Sequence, residues 1–373
     1  MPLTAYSISE EKELDVEQML LILSKREGLL TAPSTDQIPD SWREYLRTDL
    51  ECPCCFVSGA DIVKEAVSRT SKKPIRQPCF RFVVPGHRTQ CDFATSESAN
   101  VIAENLVEFG NAKSNLTKAV RELVCSGIQA GAFNQKMIRD MREWFFEKKI
   151  KSSFKVILDS EVPKWLDTMW RLANSSNGQL PQGLPLTTEI AAMPGFNWST
   201  ESKRVLRERY KTILDVIYEE RLFLPPKVVD RVESLAKRYH GEFVIDPAVL
   251  QTEYKQSLTL ALFISENYHP IRTANRSKDG NVETCVLALS ALLLFVNDWN
   301  ISQAISTFAR ISASVGLADE TLGNIMGLNP FHDYEAWSKL KQLQDLELVI
   351  TDKIDLRGEM KKIEADLRLR FQA

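Results

Sequence analysis

Five of the chain's seven cysteines fall between residues 52 and 91, and this crowding constrains the fold more than any other feature of the sequence. Cys52-Pro53-Cys54-Cys55 contains a Cys-x-x-Cys, and Cys79, His87 and Cys91 follow. An odd cysteine total does not suit a disulfide framework. The opening residues, Met1-Pro2-Leu3-Thr4-Ala5-Tyr6, lack the basic stretch and apolar run of a secretory signal. Both points favour thiolates gathered on a metal in a reducing, cytoplasmic setting. Two residues between thiolates let a tight turn aim both sulfurs at one tetrahedral ion, and Zn2+ is the ion such ligands suit.

Cys52 and Cys55 need two further ligands. If 80–84 and 88–93 form a hairpin centred on Pro85, Cys79 stands opposite Cys91. Cross-strand side chains there lie ~4.5–5.5 Å apart on one face. This favours Cys52, Cys55, Cys79 and Cys91, with His87 near the tip. A two-residue turn shifts the register, and His87 with Cys91 is then the alternative pair. Cys54 reads as a neighbour of the ligands. Four protein ligands leave no position for an activated water, so the expected role of the ion is structural.

Cys52-Pro53-Cys54-Cys55, Ile62-Val63-Lys64, Lys73-Pro74 and Cys79-Phe80-Arg81-Phe82 together resemble the N-terminal zinc module of competence-protein CoiA-like proteins. That family pairs a Cys-Pro-x-Cys with a His-Phe-x-His element. Here Cys79 stands at the first His and Phe82 at the second, so Cys91 or His87 must complete the set. The resemblance spans about 40 of the 373 residues. It implies a link to DNA, since family members join the module to a nuclease-like domain.

Elsewhere the apolar residues recur at helical spacing, and the expected class is mainly α: bundle-like helical domains beside a small zinc-bound module containing β structure. With 44% hydrophobic and 26% charged residues the composition is that of a globular chain. The expected order is an N-terminal helical segment (1–49), the zinc module (50–95), a helical domain (96–173), a turn-rich linker (174–186), a second helical domain (187–332) and a C-terminal helix (333–373). Ser7-Ile8-Ser9-Glu10 and Ser41-Trp42-Arg43-Glu44 have the capping-box form and are expected to open helices. Val101, Ile102, Leu106 and Phe109 share a helical face that Gly110 ends, and a break is expected near Gly358. The longest apolar run, Val286 to Val296, is too short to cross a bilayer and reads as a buried helix.

A net charge of -3 confines any nucleic-acid contact to a local patch. Lys64, Arg69, Lys72, Lys73, Arg76, Arg81 and Arg88 form one, with Glu65 the only acid among residues 64–88. Such a strip on a rigid zinc module would meet phosphates of DNA or RNA. The leading expectation is a zinc-containing binding protein associated with nucleic acid or with a DNA- or RNA-acting complex. One alternative is a metal-dependent nuclease using Asp246, Glu253 and Lys255 in the order acid, then Glu-x-Lys. Another is a scaffold whose C-terminal helix binds a protein partner. No glycine-rich phosphate loop, nucleophile elbow or His-Glu-x-x-His occurs. The aromatic run Trp144-Phe145-Phe146 reads as core.

Overall fold

A computed structural model describes residues 2–67, 74–88, 91, 93–94, 106–107, 115–174, 180–181, 183–222, 224–274, 282–314, 327–346 and 355–372. The fold is mainly helical, with small antiparallel sheets in its N-terminal part. It divides into two compact units, each discontinuous in sequence: Met1–Phe154 with Val244–Tyr334, and Lys155–Phe243 with Glu335–Ala373. The turn-rich 174–186 segment falls inside the second unit.

The chain does not open with a helix at Ser7. Thr4–Ser7 and Lys12–Asp15 form an antiparallel hairpin, and Leu50–Glu51 joins its other edge through Tyr6↔Glu51 and Ser7↔Leu50. Glu10 N–H does donate to Ser7 Oγ at 3.2 Å, but in the hairpin turn. The working capping box lies eight residues on. Asp15 accepts from Gln18 N–H, Gln18 returns to the Asp15 N–H, and the helix Val16–Arg26 follows. A helix does form at Asp40–Asp49, without a side-chain cap. Its apolar face, Trp42 and Leu46, packs with Met19, Leu20, Leu23 and Leu50. The same core continues into Cys52, Cys55, Phe56, Phe80, Phe82, Cys91 and Phe93. Residues 1–49 and 50–95 thus bury one interior between them.

The rest of the first unit is a helical assembly. Asn115–Gln129, Gln135–Lys151, Gln251–Asn267, Thr284–Phe295 and Ile301–Ala313 supply a second core. Val286 through Leu294 are all buried, which is why that stretch has no polar face. Leu106–Val107 pairs as a short strand with Gly327–Leu328, against the helical expectation there. The remainder of the helix expected over 101–110 lies outside the described residues. Trp144 packs against this core, while Phe145 and Phe146 are buried.

In the second unit, Val162–Asn174, Trp198–Arg209, Lys211–Glu219, Pro226–Arg238 and Leu356–Gln372 carry the structure. Trp198–Arg209 ends at Arg209, and a separate helix starts at Lys211. The C-terminal helix expected over 333–373 is two helices, Tyr334–Asp345 and Leu356–Gln372, and Gly358 lies in the first turn of the second. That helix lies on Trp198–Arg209, with Ile363 buried and Leu367 and Phe371 packed near Trp198. Its end is fastened by the Arg209–Glu359 ion pair and by Tyr210 Oη donating to Glu359 at 2.8 Å. Among the described residues no helix is long and apolar enough to cross a membrane.

Candidate metal centre

Cys52 leaves the strand Leu50–Glu51 and enters a turn over Pro53–Cys55. Phe56 N–H donates to Cys52 O at 3.0 Å, and Cys52 N–H donates to Val57 O at 2.9 Å. These bonds close the loop and hold Phe56 at a left-handed φ of 60°. Cys52 and Cys55 are carried inward together.

The second half of the site arrives by a different register from the one expected. Cys79–Phe82 pairs antiparallel with the upstream strand Ala60–Val63: Ala60↔Phe82, Asp61↔Arg81, Ile62↔Phe80 and Val63↔Cys79. The chain then turns through Val83–Gly86 and presents His87 and Cys91. Cys91 N–H donates to Arg88 O at 3.1 Å and Ala94 N–H to Cys91 O at 2.9 Å.

Cys52, Cys55, His87 and Cys91 place their ligand atoms within 4.8 Å of one another. Cys52 Sγ and Cys91 Sγ are 3.9 Å apart. His87 Nδ1 is 3.6 Å from Cys55 Sγ and 3.4 Å from Cys91 Sγ. With metal–sulfur bonds of about 2.3 Å and metal–nitrogen bonds of 2.0–2.1 Å, tetrahedral edges are about 3.8 Å for S–S and about 3.6 Å for S–N. The observed separations match these edges, so the four side chains are arranged to hold a metal ion such as zinc. Cys79 is not in the group. It is a buried thiol opposite Val63, on a strand that pairs backward to 60–63. The expected set Cys52, Cys55, Cys79 and Cys91 is corrected at one ligand, His87.

The protonation pattern of the bare cluster suits the same chemistry. Burial, first of all, pushes the Cys52 thiol up. Cys91 is raised, chiefly by its hydrogen bond with Cys52. Cys55 is lowered well below the usual thiol range by hydrogen bonds from Cys52 and Cys91, with His87 and the Arg88 backbone N–H adding to it. A bound cation would draw protons off these thiols. The His87 ring is flanked by Phe82 at 5.5 Å and Phe93 at 6.3 Å between centroids. These buried phenyl groups pack beside the imidazole and orient it. Neither Phe82, Phe93 nor the Arg88 amide was marked by the cysteine spacing.

Among the basic residues, Lys64, Arg81 and Arg88 are exposed. Lys64 pairs with Asp36 at 3.1 Å, and Arg81 with Asp61 at 3.5 Å. Arg76 lies on the short strand Pro74–Arg76, paired with Ala66–Val67. Arg69, Lys72 and Lys73 lie outside the described residues.

The nuclease-like trio is not assembled as that chemistry requires. Glu253 and Lys255 sit two apart on the helix Gln251–Asn267, where such positions do not share a face. Glu253 pairs with Lys148 at 3.4 Å, and Asp246 accepts from the Ala248 N–H at 2.9 Å as the cap of a single helical turn.

Compared with protein-family models, curated proteins and solved structures, the chain matches none.

Proposed function

We propose that this chain is a binding protein in which a structural Zn2+ held by Cys52, Cys55, His87 and Cys91 fixes a basic surface that meets the phosphate backbone of a nucleic acid. The observation that carries the zinc reading is that the four ligand atoms lie within 4.8 Å of one another, with Cys52–Cys91, Cys55–His87 and Cys91–His87 at 3.9, 3.6 and 3.4 Å, near the edges of a zinc tetrahedron. Four protein ligands fill the shell, which favours a staple over a catalytic centre.

The nucleic-acid part rests on charge and placement. Lys64, Arg81 and Arg88 are exposed on the segments that lead into the metal ligands, and Arg69, Lys72, Lys73 and Arg76 belong to the same stretch of chain. The Lys64–Asp36 and Arg81–Asp61 pairs are exposed at the basic partner. Pairs of that kind are worth ~0–1 kcal/mol, so a phosphate competes with them readily. The link to DNA implied by the CoiA-like resemblance points the same way.

Two measurements test the proposal. Metal analysis of the purified chain should give one zinc per molecule. Binding of zinc-loaded protein to a short DNA or RNA duplex should weaken steeply with salt and fall when Arg81 and Arg88 are both changed to Ala. Zinc below half-stoichiometry removes the staple. Binding that ignores salt removes the phosphate contact.

A further inference from the structure

The turn after the strand Cys79–Phe82 carries an apolar tip that the fold leaves in solvent. Val83 is 58% exposed and Val84 78%, and Pro85 is exposed beside them. Apolar side chains scattered singly over a surface need no explanation, but three in a row at the end of a turn do. The tip is braced from behind. The ladder between Ala60–Val63 and Cys79–Phe82 runs up to Ala60↔Phe82, directly below it. Gly59 lies so close under the turn that a Cβ there would overlap the Val84 carbonyl oxygen. Gly59 N–H also donates to the Arg47 carbonyl at 2.9 Å, which fastens the same spot to the helix Asp40–Asp49.

Arginines flank the tip. Arg81 and Arg88 are exposed on its two sides along the chain, and the helix Asp40–Asp49 adds Arg43 and the exposed Arg47. Arg43 and Arg81 share a single carboxylate, Asp61, at 3.6 and 3.5 Å. Two guanidinium charges against one carboxylate leave a positive surplus, and Arg47 and Arg88 increase it.

We propose that Val83-Val84-Pro85 is a wedge that enters the minor groove of a DNA duplex and inserts between two base pairs, with the flanking arginines on the phosphates. The inference deepens the nucleic-acid reading above and rests on it; it does not depend on the metal. A duplex offers apolar base faces between two rows of phosphates, so an apolar tip among arginines matches it in polarity and in charge. Aliphatic and Pro wedges of this kind partly unstack one base step and kink the duplex by roughly 20–90°. Flexible pyrimidine–purine steps are the favoured points of entry. A bilayer suits the tip less well. Residues 83–86 include no Trp, Tyr or Phe, and Trp and Tyr are the side chains enriched at the membrane interface.

The test uses purified full-length protein and a DNA duplex of about 20 base pairs whose central TA step carries 2-aminopurine, a base that brightens when unstacked. Wild type should raise the fluorescence on binding. The Val83→Ser/Val84→Ser variant should give no rise and bind about tenfold more weakly, with the salt slope unchanged. Arg47→Ala combined with Arg81→Ala should keep the rise and flatten the salt slope by about 2. Salt-dependent binding of wild type without a rise overturns the wedge and leaves the nucleic-acid reading standing, and this arm decides even if the valine variant fails to fold. A rise that persists in a folded valine variant also overturns it, and an unchanged slope in the arginine variant overturns the placing of the tip between phosphates. No binding of wild type to the duplex at low salt removes both readings. Binding instead to phosphatidylserine vesicles, lost in the valine variant, makes the tip a membrane anchor and rejects the wedge.

Discussion

Gly59→Ala tests how the fold delivers His87 to the cluster. Gly59 stands immediately before the strand Ala60–Val63 with a φ of +95°, a conformation that L side chains rarely adopt. A methyl group built there would overlap the carbonyl oxygen of Val84 and lie 3.3 Å from its carbonyl carbon. Val84 belongs to the Val83–Gly86 turn, and His87 is the next residue after it. Against the ~3.5 Å at which such atoms rest, the turn must retreat by about 1 Å. Metal ligands tolerate only about 0.2 Å of displacement. A strained backbone costs roughly 1–3 kcal/mol and overpacking a similar amount, about 2–6 kcal/mol together. If the chain relieves about 3 kcal/mol of this by letting the turn go, His87 leaves the shell and zinc affinity falls about a hundredfold.

The assay is zinc competition against a chelator of known affinity, run with thermal unfolding of the loaded protein. Gly28→Ala is the matched control. Its φ of +71° carries the backbone cost, but an added methyl meets nothing within 4 Å. It should cost about 1 kcal/mol of stability and leave zinc affinity unchanged. Equal zinc affinity for Gly59→Ala and wild type would refute the claim that the Gly59–Val84 approach sets the position of His87.

Further outcomes follow from the same coordinates. Cys91→Ser should lose stoichiometric zinc while Cys79→Ser retains it, and His87→Cys should retain it as a four-thiolate site; metal analysis of the three variants separates the two ligand sets. Cys285 has its thiol raised to about 11, chiefly by burial. Its folded value exceeds the unfolded one, so its contribution is intact below about pH 9 and is lost as pH climbs toward 11. Urea midpoints of wild type should fall across that window by more than those of Cys285→Ala, by at most about 2 kcal/mol. Gly127→Ala would drive a methyl group into the ring of Phe133, which is 1% exposed, and to 3.2 Å from Ile311 Cδ1. Overpacking of about 1–3 kcal/mol should outweigh a helix-propensity gain of about 1 kcal/mol, lowering the melting temperature.

Much of this architecture was legible in the residues. The apolar periodicity at Leu116, Val120, Leu123 and Val124 gave a real helix, and the 286–294 stretch, apolar but for Ser290, is buried on every side. Cys52 and Cys55 followed from their spacing, whereas Cys91 was reached through a hairpin between 80–84 and 88–93, and the strand Cys79–Phe82 pairs with Ala60–Val63. Strand pairing was less legible, because a strand's own alternation says which face is buried but not which neighbour supplies the partner. Phe80-Arg81-Phe82 fits a hairpin with 88–93 as well as it fits 60–63. The choice is made by contacts far along the chain: Arg81 reaching Asp61 at 3.5 Å, and Gly59 lying against Val84. The false helix start at Ser7 has the same origin. Ser7 makes its local bond to Glu10, but it also donates to Asp49, buried 42 residues on, and that bond belongs to the sheet.

The helix Gln135–Lys151 ties the metal module to the helical core. Phe145 belongs to the core built with Thr284–Phe295, whereas its neighbour Phe146 packs in the core that contains Cys52 and Cys55. The rings of Phe146 and Phe56 meet edge-on at 6.2 Å, one residue from the ligand Cys55. Arg139, two turns before Phe146 on the same helix, donates to Glu51 at 2.7 Å and lies 4.8 Å over Phe56. Arg142 and Glu13 form a buried ion pair beside it. Removing one member of such a pair costs about 3–5 kcal/mol because the other is left charged in the interior. These contacts grip the residues on both sides of the Cys52–Cys55 turn. Loss of the ion should therefore not stop at the turn. It should lower amide protection in 135–146 as well as in 50–57, while Thr284–Phe295 holds its protection through its own core. Hydrogen exchange on metal-free and zinc-loaded protein reads this directly. A change confined to residues 50–57 would show that the helix is indifferent to the metal.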